Sequence, residues 1–130
     1  MKRTNWFLIL LALVKFLLPF LLQNSVYEPH RDEFLYLAEG MHPAFGFMEV
    51  PPLLSVFAWI TNLFGNGKFW IKFWPSLFGA LNFMLIGRII LLHGGKRFAL
   101  FLLFCCFIFT GFLRVHFLFN QIFWKSFFIV

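Results

Sequence analysis

Residues 6–22 read WFLILLALVKFLLPFLL, an apolar run broken only by Lys15 and Pro19. At a rise of ~1.5 Å per residue, a helix of this length about matches a hydrocarbon core ~30 Å thick. Lys2 and Arg3 precede it, as they would a signal peptide. The run is longer than the usual signal core, however, and Gln23-Asn24-Ser25-Val26-Tyr27 has no small-x-small cleavage pattern. An uncleaved first transmembrane helix is therefore expected. An ammonium in mid-span costs roughly 2.5–3.5 kcal/mol on insertion scales, so Lys15 must face other helices or a polar cavity.

The rest of the chain fits the same solvent. Of 130 residues, 62% are hydrophobic and only 12% charged, about half the ~25% of ordinary soluble domains. A water-soluble fold this small could not enclose 23 phenylalanines. The net charge of +6 does not indicate nucleic acid, because the eleven basic residues are dispersed among apolar runs and form no stripe. Cys105 and Cys106 are adjacent within an apolar segment, which suits packing better than a disulfide or a metal site.

The expected fold is an all-α integral membrane protein with three to four transmembrane helices, a single truncated transmembrane domain. After the first span, residues 25–67 hold all five acids and four of the six prolines, and form a loop outside the bilayer with short interfacial helices. Within it, residues 30–40 show helical spacing of Phe34, Leu37, Ala38 and Met41, with Gly40 at the end. Pro51 and Pro52 precede a second short apolar helix over 53–64, stopped by Gly65-Asn66-Gly67 and too short to span. Residues 69–92 form the second span, with Lys72 and Arg88 reaching toward headgroups near its ends. After the basic turn His93-Gly94-Gly95-Lys96-Arg97, residues 98–113 form a third span and 115–130 begin a fourth. By the positive-inside rule, Lys2, Arg3, Lys96 and Arg97 lie in the cytoplasm and the acidic loop faces the opposite side.

The acidic loop is where chemistry is expected. A carboxylate of Asp32 or Glu33, close to the membrane surface, could take a proton from an acceptor hydroxyl or amine, an effect of ~10²–10⁴ in rate. The alternative is a solvated acid pair at a helix start, where the dipole favours negative charge. Glu49 is a candidate ligand for a divalent metal, with His30 and His42 as further donors, or else a plain loop carboxylate. Tyr36 could stack on a sugar ring, although membrane-interface aromatics account for most such rings.

Three stretches carry a family resemblance: Tyr27-Glu28-Pro29-His30-Arg31-Asp32-Glu33-Phe34-Leu35-Tyr36-Leu37-Ala38, Gly46-Phe47-Met48-Glu49-Val50-Pro51-Pro52-Leu53, and Lys72-Phe73-Trp74-Pro75-Ser76-Leu77-Phe78-Gly79-Ala80-Leu81. With the turn His93-Gly94-Gly95-Lys96-Arg97-Phe98, their order resembles the bacterial branch of the dolichyl-phosphate-mannose protein mannosyltransferase family, which includes the aminoarabinose lipid A transferase. The resemblance implies a glycosyltransferase of the bacterial inner membrane that takes sugar from a polyprenyl-phosphate donor at its periplasmic face. It makes Asp32 the base or acceptor-positioning acid with Glu33 beside it, and Glu49 a metal-contacting position. Tyr36, Pro51 and Pro52 then belong to the substrate-binding wall.

The chain covers about the N-terminal quarter of such a protein. The family's second acid, after the third span, has no counterpart, since no Asp or Glu follows Glu49 and Asn120-Gln121 stand in that region. On this reading the chain is an N-terminal fragment, inactive alone. The competing reading is a small non-enzymatic membrane protein or partner subunit. Topology provides the first test. With Cys105 and Cys106 replaced by serine, a cysteine placed in 25–67 should react with an impermeant maleimide in intact spheroplasts, and labelling only after lysis would invert the assignment.

Overall fold

The computed structural model describes residues 2–22, 30–42, 52–65 and 67–111, with single positions beyond, among them 113, 116 and 119. The described residues form five α-helices and no strand: α1 (Lys2–Leu22), α2 (Arg31–Glu39), α3 (Pro52–Leu63), α4 (Lys68–Leu92) and α5 (Arg97–Phe109). Two of these are long and apolar enough to cross a membrane, α1 over Thr4–Leu22 with mean hydropathy 2.2 and α4 over Lys68–Leu92 with 1.7.

Leucine supplies eight of the 21 residues of α1, so helix formation costs little there, while Pro19 in the last turn gives up the backbone bond to the Lys15 carbonyl. α4 contains Pro75 and runs on to a well-formed stop. Gly94 sits at φ 83°, a conformation that suits glycine. The Gly95 N–H donates to the Ile90 carbonyl at 2.8 Å and the Gly94 N–H to Leu91 at 3.1 Å. These paired bonds satisfy the last carbonyls of α4 and turn the chain back into α5.

α1 and α4 pack antiparallel. Gly87 lets Leu8 approach the α4 backbone. Further along, Phe16 meets Phe73 edge-on at 6.0 Å and Phe20 stacks on Phe69 at 5.0 Å. α5 returns beside both, with Phe83 of α4 in T-shaped contact with Phe107 at 5.6 Å. Leu8, Leu11, Ala12, Phe83, Leu100 and Phe107 are the buried residues of this three-helix core.

α2 and α3 sit on the first half of α4 and enclose a separate core of Leu37, Leu54, Ala58, Ile71 and Phe119. The Trp74 indole N–H donates to Thr61 Oγ1 at 3.1 Å, and Thr61 in turn donates to the Phe57 carbonyl at 2.8 Å. Asn62 Nδ2 donates to the Leu37 carbonyl at 3.1 Å, tying α3 to α2. The outer faces stay apolar: Trp6, Leu21, Leu92 and Phe98 are all more than 70% exposed.

Several boundaries differ from expectation. α1 begins at Lys2, so the two basic residues belong to the helix itself. α5 ends at Phe109 and not at residue 113, because Thr110 turns to an extended conformation and its hydroxyl donates to the Cys106 carbonyl. With 13 residues, α5 is about 20 Å long. Lys72, expected to reach toward headgroups, is buried.

A Cβ on Gly40 would lie 2.6 Å from the Ala58 Cβ and 2.7 Å from the Trp59 nitrogen, and the backbone atoms there cannot yield. Gly40→Ala should therefore destabilise the protein by about 1–3 kcal/mol. Gly67→Ala, whose Cβ would meet only Trp70 at 3.8 Å, should cost less, no more than the roughly 1 kcal/mol of exchanging glycine for alanine at the N-cap of α4. Thermal unfolding of the detergent-solubilised variants makes the comparison.

Candidate active site

The site is built on the first turn of α2. His30 is its N-cap, in extended conformation, and Glu33 occupies the third helical position. One carboxylate oxygen of Glu33 accepts the His30 backbone N–H at 2.8 Å, and the His30 ring accepts the Asp32 N–H at 3.4 Å. This reciprocal arrangement satisfies two of the otherwise unpaired donors at the helix start.

Asp32 and Glu33 are neighbours in sequence with opposite surroundings. The Asp32 side chain is 52% exposed, with the His30 ring at 3.5 Å and the Arg31 guanidinium at 4.0 Å. Glu33 is 1% exposed. Its second oxygen accepts from Lys72 Nζ of α4 at 2.8 Å and from the Phe119 backbone N–H at 2.7 Å. Lys72 is equally buried, so the ion pair is closed to water. Asp32 is open to solvent, whereas the Glu33 carboxylate accepts from donors in three parts of the chain.

Tyr36 follows one turn later and is half-buried against the α2–α3–α4 core. Pro52 is exposed at the first position of α3. Glu49 and Pro51 lie outside the described residues, as do the structural surroundings expected for them. His42 is exposed past the end of α2. Among the described residues no group of three or more His, Cys, Asp and Glu side chains is assembled that could hold a metal ion. Glu39 closes α2, and burial pushes its carboxyl above the ordinary carboxylate range.

Sequence reasoning missed the Lys72 and Phe119 partners. A signal for the first was available: Lys72 lies one turn inside an aromatic-rich helix, and all the acids sit in the one loop able to serve it. No sequence signal marks the Phe119 amide, which is a backbone group. Lys15 does face the interior, as its mid-span position required. It is 1% exposed, with its ammonium 5.3 Å from the centre of the Phe107 ring. Phe107 stacks in turn on His116 at 5.9 Å, and Gly79 leaves the room that the His116 side chain fills.

Comparison of the chain with protein-family models, with curated proteins and with solved structures finds no match.

Removing one member of a buried ion pair strands the other, at about 3–5 kcal/mol. Glu33→Ala and Lys72→Ala should each lower stability by that order. The combined Glu33→Gln, Lys72→Met variant should lose far less than the sum of the two corresponding single changes. A double-mutant cycle on thermal unfolding provides the measurement, and additivity would show that the pair does not act as a unit.

Proposed function

We propose that the chain belongs to a membrane glycosyltransferase that takes sugar from a polyprenyl-phosphate donor, with Asp32 as its general base. One observation carries this reading: the first turn of α2 is held from beneath by the buried Glu33 carboxylate while the adjacent Asp32 carboxylate is left open. A base needs both access and a fixed position, and the two acids divide these requirements. Glu33 is then a positioning residue, and only Asp32 touches the reacting atoms.

In the proposed reaction the Asp32 carboxylate accepts the proton of an acceptor hydroxyl. The acceptor oxygen forms a bond to the anomeric carbon as the bond from that carbon to phosphate oxygen breaks. Polyprenyl phosphate leaves with the electron pair, and the sugar's configuration inverts. The donor's tail stays in lipid, so its reactive carbon lies at the bilayer surface. α2 and α3, short helices beside the first half of α4, suit that depth, and the reading assigns Tyr36, Pro51 and Pro52 to the sugar and Glu49 to a divalent metal.

The same reading makes α1 and α4 spans of a bacterial inner membrane, with α5 and the residues after it supplying a third and a fourth. The first turn of α1 is cytoplasmic and the α2–α3 unit periplasmic. A charge-poor, aromatic-rich composition and two long apolar helices support the membrane setting, and the sidedness follows from Lys2, Arg3, Lys96 and Arg97 by the positive-inside rule.

The test is transfer of labelled sugar from polyprenyl-phosphate donors by membranes expressing the protein that carries this sequence. Asp32→Asn should reduce transfer by ~10²–10⁴ while expression and unfolding temperature stay unchanged. Undiminished transfer by Asp32→Asn would remove Asp32 from the chemistry.

A further inference from the structure

At the end of the helix bundle remote from Asp32, the first turns of α1 and α5 lie side by side and leave a groove. It has a volume of about 530 Å³ and is lined by Trp6, Phe7, Leu10 and Arg97. Its lining combines an aromatic amphiphile, two apolar side chains and one guanidinium. The Arg97 side chain is exposed and has no ion-pair or hydrogen-bond partner among the described residues.

The charged residues that open α1 and α5 in the sequence are all basic. Lys2 and Arg3 belong to the same first turns of α1 as Trp6, and Lys96 immediately precedes Arg97. The acids among the described residues, Asp32, Glu33 and Glu39, are all in α2, which packs against α3 and the first half of α4. α4 ends beside the groove with its second half, so no described carboxylate competes for Arg97 there.

We propose that this groove is a binding site for one anionic phospholipid of the surrounding bilayer. Arg97 takes the headgroup phosphate, where its planar fork can donate two parallel hydrogen bonds. Trp6 lies at the interfacial depth favoured by indole rings. Leu10 follows it by one helical turn, about 6 Å deeper along α1, and with Phe7 receives the start of an acyl chain. Polarity therefore falls along the groove in the same order as along a phospholipid, from phosphate through glycerol to hydrocarbon. A soluble phosphate ester would satisfy Arg97 but leave Phe7 and Leu10 uncovered. The site depends on α1 and α4 crossing a bilayer and is independent of the sugar-transfer reaction.

Native mass spectrometry of the purified protein, titrated with phosphatidylglycerol and phosphatidylcholine of matched chains, tests the site. Phosphatidylglycerol should be retained in preference, and Arg97→Gln should weaken its retention about fivefold, the effect of one basic residue at a membrane surface. Lys68→Gln removes a charge at the opposite end of α4 and should change nothing. Leu10→Trp keeps every charge but fills the groove, and should also weaken retention. Equal retention of the two lipids, equal losses from Arg97→Gln and Lys68→Gln, or an unaffected Leu10→Trp variant would each overturn the proposal. So would displacement of bound lipid by glycerol phosphate, which would indicate a site for a soluble anion. Loss of transfer in Asp32→Asn with lipid retention intact, or the reverse, separates this site from the proposed reaction.

Discussion

The Glu33 carboxylate is the constraint on which the α2 region depends. It closes the N-terminus of its own helix through His30, pairs with Lys72 of α4, and accepts the Phe119 N–H from a segment 86 positions away. A lone carboxylate could not be 1% exposed in such apolar surroundings, and neither could the Lys72 ammonium. Each makes the other's burial tolerable, and the added hydrogen bonds supply the geometry that a desolvated pair requires. The pair thus fixes where α2 sits, and thereby where Asp32 is presented.

The helical architecture was largely legible in the sequence because its physical cause is local. Apolar runs of the right length define α1 and α4, and Gly94-Gly95 end α4 as tight turns require. α2 and α3 fall within a residue or so of their expected ranges, since His30, Gly40, Pro52 and Gly65 punctuate the chain at their ends. The end of α5 was less legible. Thr110 stands in an apolar context that reads as continuing helix, and only its bond back to Cys106 and its extended backbone reveal the stop.

The candidate site was legible only in part. Sequence singles out Asp32 and Glu33 as a pair but cannot separate them, because a difference of one position along α2 rotates a side chain by about 100° and so from solvent into the core. Which of the two turns inward is settled by Lys72, whose place inside an aromatic-rich helix was the one signal available, and by the Phe119 amide, which the sequence does not mark. Lys15 was the easier case. A charge in mid-span has few tolerable environments, and the ring face of Phe107 within the bundle is one of them.

The separation of Glu33 from its partners orders events during synthesis. α2 leaves the ribosome 39 residues before Lys72 and 86 before Phe119, so its first turn is complete while the groups that will neutralise it do not yet exist. Until α4 has been made, the carboxylate lacks the Lys72 ammonium that makes its burial tolerable. The buried contacts of Glu33 are therefore completed well after α2 itself is made, and a nascent chain ending before α4 would carry Asp32 on a helix that lacks its tie to Lys72.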